Sequence, residues 1–297
     1  MTDQHFLLTQ AQQQSYPASC LYVVATPIGN VADISFRALH VLSRVDAVAC
    51  EDTRNTGQFF NKLNLSKPLI AAHQHNENEV AQKIIRRLQQ GESIAVVSDA
   101  GTPAISDPGA RIVDAVRQAG FKIVPVPGAS AGVTALSASG LLQDQFYFVG
   151  FLSSKAGQRD TTLKSLHAIP ATLVLYEAPH RIVDTVTAMA ALFSGQRQIV
   201  LARELTKQFE EIHRCALSEA LAWLAADPHR IKGEYVVLVE GAIVEQDADL
   251  IEAQRVLTIL LTSCTVKQAA QLAALLTGQK KNALYQMALE MHNSDSA

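Results

Sequence analysis

Charged side chains are scarce in this sequence. Lys and Arg number 25 and Asp and Glu number 28 among 297 residues, so 18% of the chain is charged, against about a quarter in an average soluble domain. Glycine and proline are also few, at 15 and 10, whereas 48% of the residues are apolar. This composition excludes a disordered or collagen-like chain, because it supplies enough apolar surface for real cores.

Basic residues are in slight deficit, and the net charge is −3. Proteins that coat nucleic acid without sequence preference rely on many cations that neutralise phosphates. The overall charge therefore disfavours that class, although a local basic cleft is compatible with it.

Several motifs with known chemistry are missing. The chain has no Walker A sequence, no G-x-G-x-x-G and no H-E-x-x-H, which disfavours phosphate-cradle nucleotide hydrolysis and zinc protease chemistry. Its four cysteines, Cys20, Cys50, Cys215 and Cys264, are scattered without a C-x-x-C pair. We therefore expect reduced thiols, no disulfide framework and no metal site.

Targeting and membrane signals are also missing. Residues 1–19 lack a basic region followed by an apolar core, so they predict a flexible extension and not a signal peptide. Residues 123–143 carry no charge over about the length of a membrane span, but their prolines, glycines and serines favour a buried strand, a turn and a small-residue helix. We expect a soluble, cytoplasmic protein.

Short β-branched runs alternate with helical patterns from Cys20 onward, which predicts a mostly parallel sheet with helices on both faces. A second series of strands begins near residue 145, and the polar alternation at 210–216 predicts a mixed sheet there. Three helices after Gly241 are similar in outline to a helix-turn-helix. The predicted fold class is therefore α/β, with an N-terminal domain at 20–133, a second α/β domain at 134–241 and a helical tail at 242–297.

The loop S-D-A-G-T-P-A-I-S-D-P-G (98–109) follows a predicted strand and is rich in polar, conformationally fixed residues. Ligands of parallel sheets bind at the carboxyl ends of strands. Two carboxylates without a lysine disfavour an anionic phosphate and favour a cationic or ribose-bearing ligand. The alternative, a pair of Asx turns before a helix, explains Asp107 well and Asp99 poorly.

The loop 125–132 contains G-x-S-x-G, the spelling of a hydrolase nucleophile elbow with Ser130 as the nucleophile. Acids and histidines follow in the required order, as Glu177 with His180 or as Asp184 with His213. The same small residues would also allow close approach of the backbone to an adenosine. The five-letter match alone does not decide between these alternatives.

Six segments, taken in their order and spacing, resemble the tetrapyrrole methylase superfamily and, within it, the bacterial methyltransferases of small-subunit ribosomal RNA. The resemblance covers residues 20 to about 241, and the helical tail fits the same branch. The segments are T-P-I-G-N (26–30), E-D-T-R-N-T (51–56), S-D-A-G-T-P-A-I-S-D-P-G (98–109), P-G-A-S-A (127–131), Y-E-A-P-H-R (176–181) and G-E-Y-V-V (233–237).

The resemblance implies two α/β domains with S-adenosylmethionine in the cleft between them, a homodimer, and 2′-O-methylation of cytidine 1402 of 16S rRNA in the 30S subunit. Tetrapyrrole methylases carry G-x-G-P-G-D in the first loop, where this chain has A-T-P-I-G-N. That departure disfavours a porphyrinoid substrate and favours RNA. The implied cofactor contacts are Pro27, Asp99, Ala100, Gly101, Thr102, Pro103, Ser106, Ser130, Ala131, Tyr176, Gly233, Glu234 and Tyr235.

Methyl transfer to a ribose hydroxyl needs alignment and a proton acceptor. Glu51 or Asp52, at a strand end beside the first loop, is the predicted base, and Arg54 is predicted to hold a phosphate of the same nucleotide. Local pairing of Glu51 with Arg54 is the alternative. We expect exchange of Asp52 for Ala to abolish transfer and to spare cofactor affinity.

Basic clusters are predicted to bind the RNA, although a solvated surface is the default for any such cluster. A serine hydrolase and a non-catalytic RNA-binding module are the competing function classes. The predicted RNA-binding residues are Lys155, Arg159 and Lys164, then Arg203 and Lys207, and finally Lys280 and Lys281 in the tail.

Overall fold

The structure is a computed structural model, and it describes residues 4–242 and 246–294. The chain falls into two compact units that divide after Gly241. The strands are β1 (Cys20–Val24), β2 (Ala47–Cys50), β3 (Leu69–Ala71), β4 (Ile94–Val96), β5 (Lys122–Val126), β6 (Phe146–Phe151), β7 (Thr172–Glu177), β8 (Gln198–Arg203), β9 (Glu211–Ala216) and β10 (Tyr235–Val239). The helices are α1 (Gln4–Gln12), α2 (Phe36–Arg44), α3 (Thr53–Lys62), α4 (Glu77–Gln89), α5 (Ala110–Gln118), α6 (Ala131–Ser139), α7 (Ala156–Leu166), α8 (Ile182–Leu192), α9 (Leu217–Ala225), α10 (Gln246–Leu261), α11 (Val266–Thr277) and α12 (Lys281–Ser294).

The first sheet has the order β3-β2-β4-β1-β5, and all of its strand pairs are parallel. Its central strands are apolar throughout because separate hydrophobic clusters cover both faces, one including α4 and α5 and the other including α2. The predicted parallel sheet is confirmed. Strand β3 and helix α3 were not predicted, since three apolar residues and a polar helix give little periodicity.

The second sheet has the order β6-β7-β10-β8-β9, with β6 and β7 parallel and the other pairs antiparallel. This confirms the predicted mixed sheet. The polar alternation of β9 places Ile212 and Arg214 on its exposed face, while His213 stacks on Trp223 with ring centroids 4.3 Å apart.

Helix α6 connects the two sheets. It follows β5 of the first sheet directly, yet Ala135 and Leu136 pack against Val174, Val200 and Val236 of the second sheet. The small residues of α6 allow this close packing. A division into domains at 20–133 and 134–241 stays a prediction, and residue 134 lies inside this helix.

Residues 4–12 form helix α1, whereas the sequence predicted a flexible extension at 1–19. Tyr16 Oη donates a hydrogen bond to the Ala11 carbonyl at 2.6 Å, and Ala11 itself is buried. Tyr16 also packs on His40 of α2 with ring centroids 4.8 Å apart, so the end of α1 is attached to α2.

The second unit consists of α10, α11 and α12, in agreement with the predicted helical tail. Thr265 and Gln268 form a capping box at the start of α11, and Gly278 ends that helix with φ +71°. Small alanines of α11 form the core with neighbouring leucines. Among the residues described, no helix has both the length and the apolarity to cross a bilayer.

Candidate active site

A cavity of about 370 Å³ lies where loops of the first sheet meet one end of the second sheet. Pro27, Pro103 and Gly233 are absent from the lining, but each is adjacent in sequence to a residue that does line it. Ten of the thirteen predicted cofactor contacts line the cavity: Asp99, Ala100, Gly101, Thr102, Ser106, Ser130, Ala131, Tyr176, Glu234 and Tyr235.

The first loop is fixed by a two-way backbone pair. Thr26 N donates to Gly101 O at 2.8 Å, and Gly101 N donates back to Thr26 O at 3.0 Å. A Cβ on Gly29 would lie 2.6 Å from Lys207 Cγ and 3.0 Å from Leu205 O. The first loop therefore needs glycine at this position, because the loop after β8 approaches it so closely.

The second loop is held in an unusual backbone conformation. Gly101, Ala104, Ser106 and Gly109 all have positive φ, at +83°, +68°, +66° and +136°. Left-handed conformations of residues other than glycine are uncommon and concentrate at functional sites. The loop therefore presents Ser106 and Asp107 to the cavity in an arrangement that the surrounding structure must maintain.

The third loop meets the second sheet through Tyr176. Gly132 N donates to Tyr176 Oη at 3.2 Å, and Tyr176 and Ser130 line the same cavity. Burial raises the pKa of Tyr176, so the hydroxyl stays protonated. The third loop thus meets a protonated tyrosine at the cavity.

The surroundings of Glu177 and His213 disfavour the hydrolase alternative. Glu177 is 2% exposed and accepts hydrogen bonds from Thr185 Oγ1 at 2.6 Å and from Ala178 N at 2.8 Å. It is committed to its own strand end. His213 stacks on Trp223 on the edge strand β9 and does not line the cavity, whereas Glu177 lines it with Ser130 but is already hydrogen-bonded.

Four carboxylate residues line the cavity, Asp99, Asp107, Glu177 and Glu234, together with one lysine, Lys207. Asp99 Oδ1 accepts from Asp52 N at 3.3 Å, and Asp99 Oδ2 accepts from Asn55 Nδ2 at 2.7 Å. Burial, together with the charges of Glu51 and Asp99, raises the pKa of Asp107 to about 6. The site is electronegative and suits a cationic ligand.

Asp107 lines the cavity, although its sequence position suggested a helix cap. Gly109, and not Asp107, is the N-cap residue of α5. Asp107 was therefore missed as a site residue, although the second carboxylate in one strand-end loop was a usable signal. Six of the remaining lining residues are apolar and gave no signal in the sequence: Ile28, Ile105, Phe151, Ala202, Leu205 and Val236.

The structure distinguishes the two carboxylates predicted as bases. Asp52 is the N-cap of α3, where it accepts from Arg54 N at 2.8 Å, and it also pairs with the Arg54 guanidinium at 2.7 and 3.2 Å. The hydrogen bonds from Arg54 lower the pKa of Asp52 to about 2. Burial and the charges of Asp99 and Asp52 raise the pKa of Glu51. Arg54 therefore pairs with Asp52 and not with Glu51.

Two of the predicted RNA-binding cations are engaged within the protein. Arg203 donates to Glu211 at 3.2 Å and to His229 O at 3.1 Å. Lys207 lines the cavity and donates to Glu204 and Glu234, both at 2.8 Å. The structure thus brings Lys207 to the cavity.

Lys155 and Arg159, two other predicted cations of the first unit, are absent from the lining of the cavity. Lys155 precedes α7 and is exposed, whereas the Arg159 side chain is largely buried with Nε 4.0 Å from Asp160. Lys280 precedes α12 and Lys281 is its first residue, and both are exposed in the second unit. Within residues 4–242 and 246–294, no group of three or more His, Cys, Asp or Glu side chains could hold a metal ion.

Comparison with protein families gives two matches. Residues 20–221 match the Tetrapyrrole (Corrin/Porphyrin) Methylases, and residues 247–292 match the RsmI C-terminal HTH domain. The chain is 46% identical over 283 residues to "Ribosomal RNA small subunit methyltransferase I" of Escherichia coli O157:H7, with 95% of this chain and 99% of the relative covered. It is 49% identical over 275 residues to the protein of the same name from Pseudomonas aeruginosa, with 92% and 98% covered.

Solved structures show the same fold at low sequence identity. Diphthine synthase matches with a TM-score of 0.59 and 18% identity over 75% of this chain and 90% of its own. Uroporphyrin-III C-methyl transferase from Thermus thermophilus, complexed with S-adenyl homocysteine, matches with a TM-score of 0.53 and 17% identity over 74% and 97%. These likenesses confirm the two-sheet architecture that the six motifs implied.

Proposed function

Because the chain belongs to the tetrapyrrole methylase family, in its ribosomal RNA small subunit methyltransferase I branch, we propose that it methylates the 2′-hydroxyl of cytidine 1402 in 16S rRNA. S-adenosylmethionine is the methyl donor, and the substrate is the RNA within the 30S subunit. The observation that carries the proposal is the convergence of three strand-end loops on one acidic cavity. Because its substrate in this proposal is the 30S subunit, we expect the protein to act in the cytoplasm.

The residues of the cavity fit S-adenosylmethionine. Its lining combines carboxylates, from Asp99 and Asp107, with apolar side chains such as Ile28 and Leu205. Carboxylates suit the positive charges of the sulfonium and amino groups, while apolar walls suit a purine ring. Ser130 and Ala131 offer small side chains and backbone groups beside them.

When bound, the cofactor supplies a methyl group on a positively charged sulfur, so the leaving group is neutral. The protein must hold the ribose hydroxyl in line and accept its proton as the oxygen–carbon bond forms. In this proposal Glu51 is the base, because Asp52 is already engaged by Arg54 at the start of α3, whereas Glu51 is exposed beside it and has a raised pKa. Asp52 keeps Arg54 at the start of α3, where the guanidinium can turn to a phosphate of the acceptor strand.

Titration calorimetry with S-adenosylmethionine and S-adenosylhomocysteine, followed by labelled methyl transfer to 30S subunits, tests the proposal. Saturable binding and label retained in the ribose of cytidine 1402 are the expected results. Transfer to naked 16S rRNA, measured in parallel, reports whether the assembled subunit is needed. Absence of binding to both ligands would refute the proposal.

The tail contributes to RNA affinity in this proposal. Lys280 and Lys281 are exposed, and lysine contacts with phosphates release counterions. We expect replacement of both by alanine to raise KM for 30S subunits about three- to tenfold. The slope of log KM against log salt concentration should fall by about one to two.

Replacement of the exposed Lys62 and Lys83 of the first unit by alanine is the control for the same loss of charge. S-adenosylhomocysteine affinity should stay unchanged in both variants. An unaltered KM in the tail variant would remove the tail from RNA binding.

A homodimer is the second part of the proposal, and the edge strand β6 is its contact surface. Phe146, Tyr147 and Phe151 are 55%, 50% and 56% exposed on a strand that pairs on one side only. Exposed aromatic edges usually mark contact surfaces, because they otherwise promote aggregation.

We expect sedimentation equilibrium to give about twice the 32.1 kDa of one chain, and replacement of Phe146 and Tyr147 by lysine to give the mass of one chain. Replacement of Phe209 by lysine is the control, since Phe209 is an exposed aromatic residue in the loop between β8 and β9. A dimer that survives the double replacement would place the interface elsewhere.

A further inference from the structure

Glu77 is a buried carboxylate outside the cavity. It is the first residue of α4 and is 7% exposed. Its Oε1 accepts a hydrogen bond from Gly109 N at 2.7 Å. Burial of a carboxylate is costly unless hydrogen bonds and local dipoles compensate it. Glu77 stands in the first turn of α4, and its carboxylate meets the N-cap residue of α5, Gly109. The positive ends of both helix dipoles therefore stabilise the negative charge.

Gly109 ends the loop that lines the cavity. Its φ of +136° is a conformation that other residues rarely adopt. Between it and Gly101, the left-handed residues Ala104 and Ser106 shape the segment that carries Asp107. Such conformations are costly and persist only where the surrounding contacts maintain them.

The two ends of the loop are anchored differently. Its first end is held by the backbone pair of Thr26 with Gly101 and by Thr102 Oγ1, which donates to Ala129 O at 3.0 Å. The end next to Asp107 is held by Glu77 through Gly109. The first anchor lies within the three loops of the cavity, and the second comes from α4, outside them.

The anchor is itself fixed on the end of β3. Asn76 Oδ1 accepts from His73 N at 2.8 Å, and Asn76 Nδ2 donates to Ala71 O at 3.0 Å. The turn before α4 is therefore tied to the end of β3 by contacts that do not involve the loop of the cavity.

We propose that Glu77 is a positioning residue for the cofactor: its carboxylate holds Gly109 and thereby sets Ser106 and Asp107 in the cavity. This rests on the proposed function, since it assigns the cavity to S-adenosylmethionine. Without the anchor, the loop spends part of its time in other conformations. The apparent Kd for the cofactor then equals the intrinsic Kd divided by the fraction of molecules in the binding conformation.

The variant Glu77→Ala tests the proposal, with Glu79→Ala in the same helical turn as the control. Glu79 is exposed, so its loss changes the charge equally and leaves the loop anchored. We expect Glu77→Ala to raise the Kd for S-adenosylhomocysteine and the KM for S-adenosylmethionine about tenfold. We expect kcat at saturating cofactor to stay within about twofold. A general loss of folding would lower kcat as well.

Glu77→Gln retains a hydrogen-bond acceptor of the same shape, although a neutral bond is weaker than a charge-assisted one. We expect it to restore the Kd to within about threefold of the wild-type value. A Gln variant as weak as the Ala variant would overturn the proposal, because the hydrogen bond would then not be the cause.

Gly109→Ala disturbs the same contact from the loop side and leaves Glu77 in place. A Cβ there meets its neighbours at no less than 3.5 Å, so the backbone conformation is the main obstacle. We expect the same rise in KM. This variant therefore tests the contact even if Glu77→Ala does not fold. An unchanged KM and Kd in these variants, with a wild-type protein that binds the cofactor, would overturn the positioning role alone. A wild-type protein that binds no cofactor would refute the proposed function as well.

Discussion

Replacement of Glu51 by glutamine lowers kcat for methyl transfer by about 10²- to 10⁴-fold, which is the range that a lost general base produces. Glutamine keeps the size of the side chain and cannot accept the ribose proton. The affinity for S-adenosylhomocysteine stays unchanged, since Glu51 is absent from the lining of the cavity. Single-turnover transfer of labelled methyl to 30S subunits, with saturating cofactor, measures the effect.

Asp52→Asn is the matched control for Glu51→Gln. Asparagine caps helices as well as aspartate does, so α3 keeps its start while the charge of Asp52 is lost. We expect this variant to keep turnover within about tenfold of the wild-type value. The sequence alone gave Asp52 an equal claim to be the base, and its bidentate contact with Arg54 is the reason that we assign this role to Glu51. A variant pair in which Asp52→Asn is the inactive member would reverse the assignment.

The pH dependence offers an independent check on Glu51. Because burial and two neighbouring carboxylates raise its pKa, the side chain loses its proton at a higher pH than an ordinary glutamate. Wild-type turnover should therefore rise with pH through that raised pKa and then level off. The residual turnover of Glu51→Gln should lack this step.

Replacement of Asp107 by asparagine has opposite effects on binding and stability. The affinity for S-adenosylmethionine falls about 10- to 100-fold, because a charge-assisted contact is lost in a partly buried cavity. The free energy of unfolding at pH 7 rises by about 1–2 kcal/mol, an amount reduced by partial solvent exposure of the carboxylate. Calorimetry and thermal melts measure the two effects, with the exposed Asp114→Asn as the control.

The sign of the stability effect follows from the raised pKa. The folded protein holds the Asp107 proton up to a pH of about 6, whereas the unfolded chain releases it near 3.8. Between these values the folded state binds more protons, so the free energy of unfolding falls as the pH rises. The melting temperature of the variant should therefore equal that of the wild type at pH 4 and exceed it at pH 7. Equal melting temperatures at pH 7 would contradict the raised pKa.

The sequence predicted those parts of the site that carry a chemical signature. Gly, Pro and Asp at strand ends marked the second loop, and the parallel sheet placed it beside the first. The apolar wall was not predictable, because Leu205 and Val236 look like any core residue. Glu77 was hidden for a related reason, since a glutamate in the first turn of a helix is ordinary and only the tertiary structure shows it buried against Gly109.

Ion pairs were the least predictable feature. A basic residue in a sequence reads as a surface contact for phosphates, and Arg203 and Lys207 were interpreted in this way. Their partners, Glu211 and Glu234, come from other strands or loops. Such pairing depends on register between elements that the residue spacing does not specify.

Helix α6 has a consequence for how the first unit can be built and divided. It is covalently part of the chain that leaves the first sheet, while its side chains cover the apolar face formed by Val174, Val200 and Val236. A fragment that begins at residue 134 would leave part of that face open to water, and a fragment that ends there would carry half a helix without its support. The two sheets therefore share one buried apolar cluster, and we expect neither fragment on its own to keep the cavity that residues of both sheets line.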